Sequence, residues 1–209
     1  LVFEGEFLNG WKSGKGKEYY KNGQIKKEGE YLHGRINKIF KEYYRDGNLK
    51  LESEFTTGKQ IEEKRKEYYK NGLLKLDVEC LNGKIWNGKR YNIEGNVEFE
   101  IKDGKGYIKE YNSEEILLFE GEYLNGERNG KGKEYYDDGQ LKYEGEYLNE
   151  LRNGKGKEYY KNGTLKFEGD YLNGERNGKS KEFYVEGELK YEGDYLKGIR
   201  NGKGKEYYE

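Results

Sequence analysis

Short runs of alternating apolar and charged residues fill the chain, and glycine-containing turns separate them. From Leu165 to Tyr171, every second residue is aliphatic, aromatic or glycine, and each residue between them is charged. This period of two places successive side chains on opposite faces of an extended strand. No apolar period of 3.6 residues persists, and the frequent glycines would penalise a helix. The pattern therefore predicts an all-β protein.

The alternating run belongs to a repeat of 24 residues. The block Glu4-Gly5-Glu6-Phe7-Leu8-Asn9-Gly10 recurs in similar form from Glu28, Glu120, Glu144, Glu168 and Glu192, with weaker copies from Glu52, Asp77 and Glu98. One unit is too small to bury its own apolar face, so the copies must stack on one another. We expect one array over 1–209, regular over 1–76 and 120–209 and degenerate over 77–119. Its end strands carry no polar cap, so we expect the chain to be part of a longer array.

Each unit is predicted to be a β-hairpin. In the unit 155–174, the pair Asn162-Gly163 separates two strand-like runs, and a type I′ turn there would give both residues a positive φ. Tyr160 would then pair with Leu165. Equivalent pairs occur at Asn22-Gly23, Asp46-Gly47, Asn71-Gly72 and Asp138-Gly139.

This register also predicts how charged residues meet across the hairpin. Lys157 would lie opposite Glu168, and Lys155 opposite Asp170, as cross-strand pairs worth roughly 0.2–1 kcal/mol each.

The same register turns Glu158 toward the apolar face, opposite Phe167. A bulge that brings Tyr159 inward instead would relieve this conflict. The sequence leaves both arrangements open.

Equivalent positions of stacked units form ladders. The aromatic ladder is expected to contain Phe3, Phe7, Tyr31, Phe55, Phe119, Tyr123, Tyr143, Tyr147, Phe167, Tyr171, Tyr191 and Tyr195. Between its rings lie Gly5, Gly29, Gly121, Gly145, Gly169 and Gly193. Glycine inside a strand marks close approach of another group, here a ring from the adjacent strand. Either the rings pack on one another, or part of the ladder stays open as a binding groove.

The repeat resembles the MORN family, whose motif runs aromatic-x-Gly-x-aromatic-x-Asn-Gly-x-x-x-Gly-x-Gly. It is present as Phe119-Glu-Gly121-Glu-Tyr123-Leu-Asn125-Gly126-Glu-Arg-Asn-Gly130-Lys-Gly132, and again from Phe3 to Gly16. The second aromatic is Tyr or Phe where the family usually has Trp, and the period is one residue longer than the common one. These departures place the chain closer to the variant branch of MORN-like repeats.

The resemblance implies an elongated, single-layer antiparallel β-hairpin solenoid of about nine repeats. It also implies a scaffold that contacts proteins or lipids, because MORN arrays accompany junctophilins, plant phosphatidylinositol phosphate kinases and apicomplexan cytoskeletal scaffolds. Variant arrays in bacteria include antitoxin or immunity components. Fold does not fix function, so these roles remain alternatives.

Charge and cysteine content bear on the type of partner and on the cellular compartment. The 40 Lys and Arg nearly balance the 41 Asp and Glu, which argues against a nucleic-acid partner. Cys80 is the only cysteine and fits a reducing compartment. We expect a cytoplasmic protein, alternatively one peripheral to a membrane or the cytoskeleton.

Catalytic chemistry has little support in the sequence. The single histidine, His33, occupies a turn position, and Cys80 replaces a ladder tyrosine. The segment from Gly174 to Ser180 resembles a phosphate loop, but three residues rather than four separate its glycines. We expect no catalytic residue, no metal site and no cofactor.

Candidate interaction residues lie outside the ladder. Tryptophan and arginine are favoured at binding hot spots, which singles out Trp11, Trp86, Arg128, Arg152, Arg176 and Arg200. The four arginines recur every 24 residues along one edge, where they would meet phosphates, although adjacent acidic residues dilute them. We therefore favour another protein as the partner over anionic lipid. Self-association through exposed strand edges is a further alternative.

Overall fold

The computed structural model describes residues 1–55 and 63–208, and none of these is helical. The chain divides into two compact units, 1–103 and 104–209. Unit 1 consists of β1 (Phe3–Leu8), β2 (Trp11–Tyr19), β3 (Ile25–Leu32), β4 (Arg35–Tyr43), β5 (Leu49–Phe55), β6 (Glu63–Tyr68), β7 (Leu74–Leu81), β8 (Lys84–Tyr91) and β9 (Val97–Lys102). Unit 2 consists of β10 (Lys105–Tyr111), β11 (Leu117–Leu124), β12 (Glu127–Tyr135), β13 (Leu141–Leu148), β14 (Leu151–Tyr159), β15 (Leu165–Leu172), β16 (Glu175–Phe183), β17 (Leu189–Leu196) and β18 (Ile199–Glu206).

Within each unit, every strand pairs antiparallel with the next strand along the chain. The predicted all-β array of consecutive hairpins is confirmed. Such pairing uses only local connections, since two to seven residues connect each strand to the next.

The predicted turn type at Asn162-Gly163 is wrong. Tyr160 N–H donates to the Thr164 carbonyl at 2.9 Å, Gly163 N–H donates to the Tyr160 carbonyl at 2.9 Å, and only Gly163 has a positive φ. This is a type I turn followed by a glycine bulge. Asn162 instead accepts a hydrogen bond from the Thr164 amide through its side chain.

Type I′ turns occupy the other set of hairpin connections. Asn125 and Gly126, with φ of 56° and 72°, link β11 to β12, and Asn173-Gly174 links β15 to β16 in the same way. His33 takes the asparagine position of one such turn and is exposed. Both kinds of connection contain Asn-Gly, so the dipeptide alone does not distinguish them.

The predicted strand register is correct in spite of the turn. Lys157 lies opposite Glu168 and Lys155 opposite Asp170. A bulge between Glu158 and Tyr159 makes Tyr159, rather than Tyr160, the partner of Leu165. The longer turn and the bulge compensate for each other, so the rest of the hairpin keeps its register.

The aromatic rings of unit 2 pack on one another. Phe119, Tyr147, Tyr143, Tyr171, Phe167 and Tyr195 follow one another edge-to-face, with centroids 5.3 to 5.6 Å apart. Tyr143 and Phe167 are fully buried, and Tyr123, Tyr191 and Tyr195 are also buried. Offset or edge-to-face rings are the favourable arrangement for aromatic pairs. In unit 2 the ladder is a core rather than an open groove.

Unit 1 has a different core. Its buried apolar side chains are Tyr31, Leu76, Val78, Cys80, Phe99 and Ile101. Phe3 contacts Phe7 and Tyr31 edge-to-face. Phe7 and Phe55 are nevertheless 62% and 41% exposed, so these two predicted ladder residues lie outside the core.

We expected the ring over each ladder glycine to come from the adjacent strand, and for most of these glycines this prediction is wrong. A Cβ on Gly145 would lie 2.3 Å from the hydroxyl of Tyr143, two residues earlier on the same strand. The same ring covers Gly156 on the neighbouring strand, where an added Cβ would also lie 2.3 Å from the hydroxyl. One ring therefore requires two glycines, one on its own strand and one on the next.

Two exceptions support this explanation. Ser180 stands where the neighbouring repeats have Gly156 and Gly204, and the adjacent ring is Phe167, which lacks a hydroxyl. In unit 1, Lys27 replaces the ladder aromatic, and Phe40 occupies the position opposite Gly29. At these two places a side chain stands at the second glycine position beside a ring that is smaller or missing, whereas Phe119 still covers a glycine, Gly132.

Candidate binding groove

The strands of unit 2 present two chemically different faces. One carries the aromatic layer, with Tyr143 and Tyr147 on β13. The residues between them, Glu144 and Glu146, point to the opposite face because strand side chains alternate.

Arginines close the aromatic face. The Arg152 guanidinium carbon lies 3.9 Å above the centre of the Tyr143 ring, and its nitrogens donate to both Glu134 oxygens at 3.0 and 2.7 Å. Arg176 repeats this arrangement over Phe167 with Glu158, at 3.1 and 2.9 Å. Each arginine thus crosses an intervening strand and joins one repeat to the previous one.

The expected open edge of arginines is therefore wrong. Arg128 and Arg200 also lie over rings, those of Phe119 and Tyr191, at 4.0 and 4.2 Å. Arg128 binds Glu110, and Arg200 binds Glu182 at 2.7 Å. These cations are used within the unit, and a phosphate would have to displace a carboxylate to reach them.

These arginines also resolve the conflict at Glu158. The carboxylate does face the aromatic side, with only 16% of its side chain exposed, and accepts a hydrogen bond from Tyr171 at 2.5 Å in addition to those from Arg176. Burial by itself would raise the pKa of Glu158, but the hydrogen bonds from Arg176 and Tyr171 outweigh it and lower that pKa. Burial and the nearby charge of Glu158 raise the pKa of Tyr171.

Unit 2 is expected to lose stability in acid. The pKa values of Glu134, Glu158 and Glu182 are all lowered in the folded chain from 4.5, their ordinary value. Their stabilisation is complete above that value and is lost as the pH falls through the folded pKa values. In urea unfolding followed by circular dichroism, the urea concentration at the midpoint should therefore decrease as the pH is lowered below about 4.5.

A Glu158→Gln variant should show a shallower dependence on pH than the wild type. Glu175→Gln, at an exposed position, should follow the wild-type curve. A midpoint that is constant between about pH 6 and about pH 3 would contradict the assignment.

Further tyrosines tie the repeats together at the turns. Tyr136 donates to the Tyr159 carbonyl at 2.8 Å, Tyr160 to the Phe183 carbonyl at 2.9 Å, and Tyr184 to the Tyr207 carbonyl at 3.0 Å. Each bond links one turn to the same turn of the next repeat. These second tyrosines of the Tyr-Tyr pairs are structural, a role that the alternating pattern did not predict.

The opposite face of unit 2 forms a concave groove of about 1140 Å³. Its floor is glycine backbone, since one of the two Cα hydrogens of residues such as Gly145 and Gly156 faces away from the rings. Lysine and acidic side chains line it, among them Lys157 and Glu168. Glycines that accommodate rings on one face thus leave an unobstructed floor on the other.

Charged rows cross this groove. Lys133, Glu144, Lys157, Glu168, Lys181, Glu192 and Lys205 lie opposite one another on successive strands. Tyrosines hold some of the acidic members: Tyr159 donates to Glu144 at 2.6 Å, and Tyr207 donates to Glu192 at 2.9 Å.

Exposed leucines flank the charged rows. Leu124, Leu148, Leu172 and Leu196 recur once per repeat beside the type I′ turns. Leu148 follows the buried Tyr147 and therefore points to the groove face, as its counterparts do. Exposed Leu151 lies opposite Leu148, and exposed Ile199 lies opposite Leu196. The groove thus has an apolar margin.

The remaining predicted residues do not lie together. Trp11 is exposed on β2 and packs near Gly34, whereas Trp86 is half-buried at a bulge in β8. Cys80 is buried, and burial raises the pKa of its thiol. Among residues 1–55 and 63–208, no group of three His, Cys, Asp or Glu side chains is arranged to hold a metal. The same residues contain no helix long and apolar enough to cross a membrane.

Comparison with protein families agrees with the repeat geometry. A MORN repeat model matches residues 3–25, 119–141, 143–165, 167–187 and 191–209. A MORN repeat variant model matches residues 37–56. A search of curated proteins finds no match. The MORN repeat matches alone span more than half of the chain, in both units. The chain therefore belongs to the MORN repeat family.

Proposed function

We propose that this chain is a non-catalytic scaffold that binds a segment of another protein in the groove of unit 2. The observation that carries the proposal is the concave face itself, about 1140 Å³ in volume, with a glycine floor between charged rows. Ligand sites are usually concave and preformed, and repeat arrays typically use extended concave surfaces for binding.

The margin of the groove favours a protein over an ion or a small polar molecule. Exposed Leu148, Leu151 and Leu172 stand beside charged residues, which combines apolar and charged contacts on one surface. Contiguous exposed apolar patches mark interaction surfaces, and Leu148 lies directly opposite Leu151. The opposite, aromatic face is less suitable, because its rings are buried and its arginines are already paired.

The test compares partner capture by the full chain and by a groove variant. Lys157→Glu with Lys181→Glu reverses two charges inside the groove, whereas Lys161→Glu with Lys197→Glu reverses two exposed charges on turns outside it. Affinity purification from the source cells, followed by quantitative mass spectrometry, should show proteins that are lost from the first variant and retained by the second.

Circular dichroism melting must show that both variants are folded. The identity of a protein that is lost selectively also separates the specific roles, because capture of a toxin would assign an immunity function. If both variants captured the same proteins as the wild type, the groove would not be the binding surface.

A further inference from the structure

Most lysines of the groove have no ion-pair partner among the residues that the structure describes. Within the part of the chain that the structure describes, no carboxylate oxygen lies within 4.0 Å of the side-chain nitrogen of Lys133, Lys157 or Lys181. The same holds for Lys131, Lys155 and Lys179. The same applies to Lys203, so seven cations without an ion pair to a described residue project into one concave surface.

Unit 1 shows that this is not a general property of the repeat. At equivalent positions, Lys41 lies 3.3 Å from Glu52, and Lys66 lies 3.4 Å from Asp77. In unit 2 only the last lysine of the row, Lys205, forms such a pair, with Glu192 at 3.0 Å, among the groove residues described. The charges that unit 1 satisfies internally remain available to a partner in unit 2.

The acidic residues of the groove alternate with the lysines, and they therefore set the spacing at which a ligand can place its negative charges. Lysines come from β12, β14 and β16, while Glu144, Glu146, Glu168 and Asp170 come from the strands between them. Adjacent strands lie about 4.8 Å apart, so the lysine strands recur at about 9.6 Å. An acidic ligand with a charge above every strand would meet repulsion at every second one.

We propose that the groove binds an acidic polypeptide segment that lies across the strands in polyproline II-like conformation, with a carboxylate at every third residue. This inference rests on the proposed function and specifies its partner. A polyproline II helix has three residues per turn and rises about 3.1 Å per residue. Carboxylates at every third residue therefore point the same way and recur at about 9.3 Å, close to the spacing of the lysine strands. Uncharged residues would then lie above the acidic strands.

Binding of labelled peptides to the full chain tests this by fluorescence anisotropy. The probe is five copies of Glu-Pro-Pro. A spacing control is five copies of Glu-Pro-Pro-Pro, which carries the same charge at intervals of about 12 Å. A charge control is five copies of Lys-Pro-Pro. We expect the probe to bind more tightly than either control and to weaken as salt is added.

The groove variant Lys157→Glu with Lys181→Glu should lower the affinity for the probe by about tenfold, because two attractive contacts become repulsive. The neutral variant Lys157→Gln with Lys181→Gln should lose less affinity for the probe. A graded loss of this kind indicates lost attraction, whereas a change in fold would not follow the charge. Lys161→Glu with Lys197→Glu should bind the probe as the wild type does.

Three results would overturn the inference: tighter binding of Lys-Pro-Pro, equal binding of the two acidic peptides, or probe binding that the groove variants do not change. Lysine-dependent binding of phosphatidylserine vesicles without binding of the probe would also overturn it, in favour of a membrane ligand. If the probe does not bind but the groove variant still loses captured proteins, only the preference for an acidic segment is rejected. Peptide binding with unchanged protein capture would reject the proposed function instead.

Discussion

Replacing Arg176 by alanine should lower the free energy of unfolding of unit 2 by about 3 kcal/mol. Arg176 donates to both oxygens of Glu158, and its guanidinium carbon lies 4.0 Å above the centre of the Phe167 ring. The substitution removes both contacts and leaves a largely buried carboxylate with fewer donors. An uncompensated buried charge is among the costliest single defects in a folded protein.

Hydrogen exchange and urea unfolding together can measure this effect. Amides of β15 and β16 should exchange faster in Arg176→Ala, because local opening becomes easier where the defect lies. The urea midpoint, followed through the near-ultraviolet signal of the aromatic layer, should fall in parallel. Array proteins can unfold in more than one step, so local exchange provides the residue-level reading that a single midpoint lacks.

Two variants provide the controls. Arg176→Lys retains the positive charge but not the planar fork, and should restore only part of the stability. Glu175→Ala alters the preceding exposed residue and should stay within about 0.5 kcal/mol of the wild type. If Arg176→Ala were as stable as Glu175→Ala, the arginine would be a surface residue rather than part of the core.

Replacing Gly156 by serine should destabilise unit 2 by about 3 kcal/mol, unless Tyr143 is shortened at the same time. A Cβ at this glycine would lie 2.3 Å from the Tyr143 hydroxyl and 2.6 Å from a ring carbon. The ring is fully buried and packed against Tyr147 and Tyr171, so it has little room to move away.

The chain itself suggests the rescue. Twenty-four residues further on, Ser180 lies beside Phe167, which has no hydroxyl. The double variant Gly156→Ser with Tyr143→Phe copies that pair, and should recover at least about 1 kcal/mol of the loss. Tyr143→Phe alone should cost little, because among the described residues the hydroxyl makes only one hydrogen bond, to the Glu146 carbonyl, and it is long at 3.5 Å. A double-mutant cycle from urea unfolding measures the coupling, and strictly additive effects would contradict the packing explanation.

The hairpin array and its strand register could be predicted from the sequence. The period of two within each strand and the 24-residue repeat are properties of consecutive residues. The pair Lys157–Glu168 also follows from the sequence, but only because the longer turn and the bulge after Glu158 compensate for each other. The type of the turn at Asn162-Gly163 could not be predicted from the sequence. Asn-Gly occurs in both kinds of connection, and the Tyr160 hydroxyl, which bonds the next turn, belongs to the longer one.

The role of the recurring arginines could not be predicted from the sequence for a similar reason. The sequence left open whether the aromatic ladder packs or binds, and it named the recurring arginines as possible interaction residues, since such residues favour interfaces. The stacking of repeats instead places Arg176 over Phe167 and against Glu158, eighteen residues away in sequence. The lysines that now define the groove looked like ordinary cross-strand partners.

What the sequence by itself determined was the set of strands, their order and which residues share a face, because these follow from the local period. Only the tertiary structure decided which charges are consumed within the fold and which remain available. Glu158 and Arg176 come from different repeats, and Lys157 and Glu168 are opposite each other without an ion pair between them. Charge compensation depends on distances between side chains that only stacking brings together, and a linear pattern contains no information about those distances.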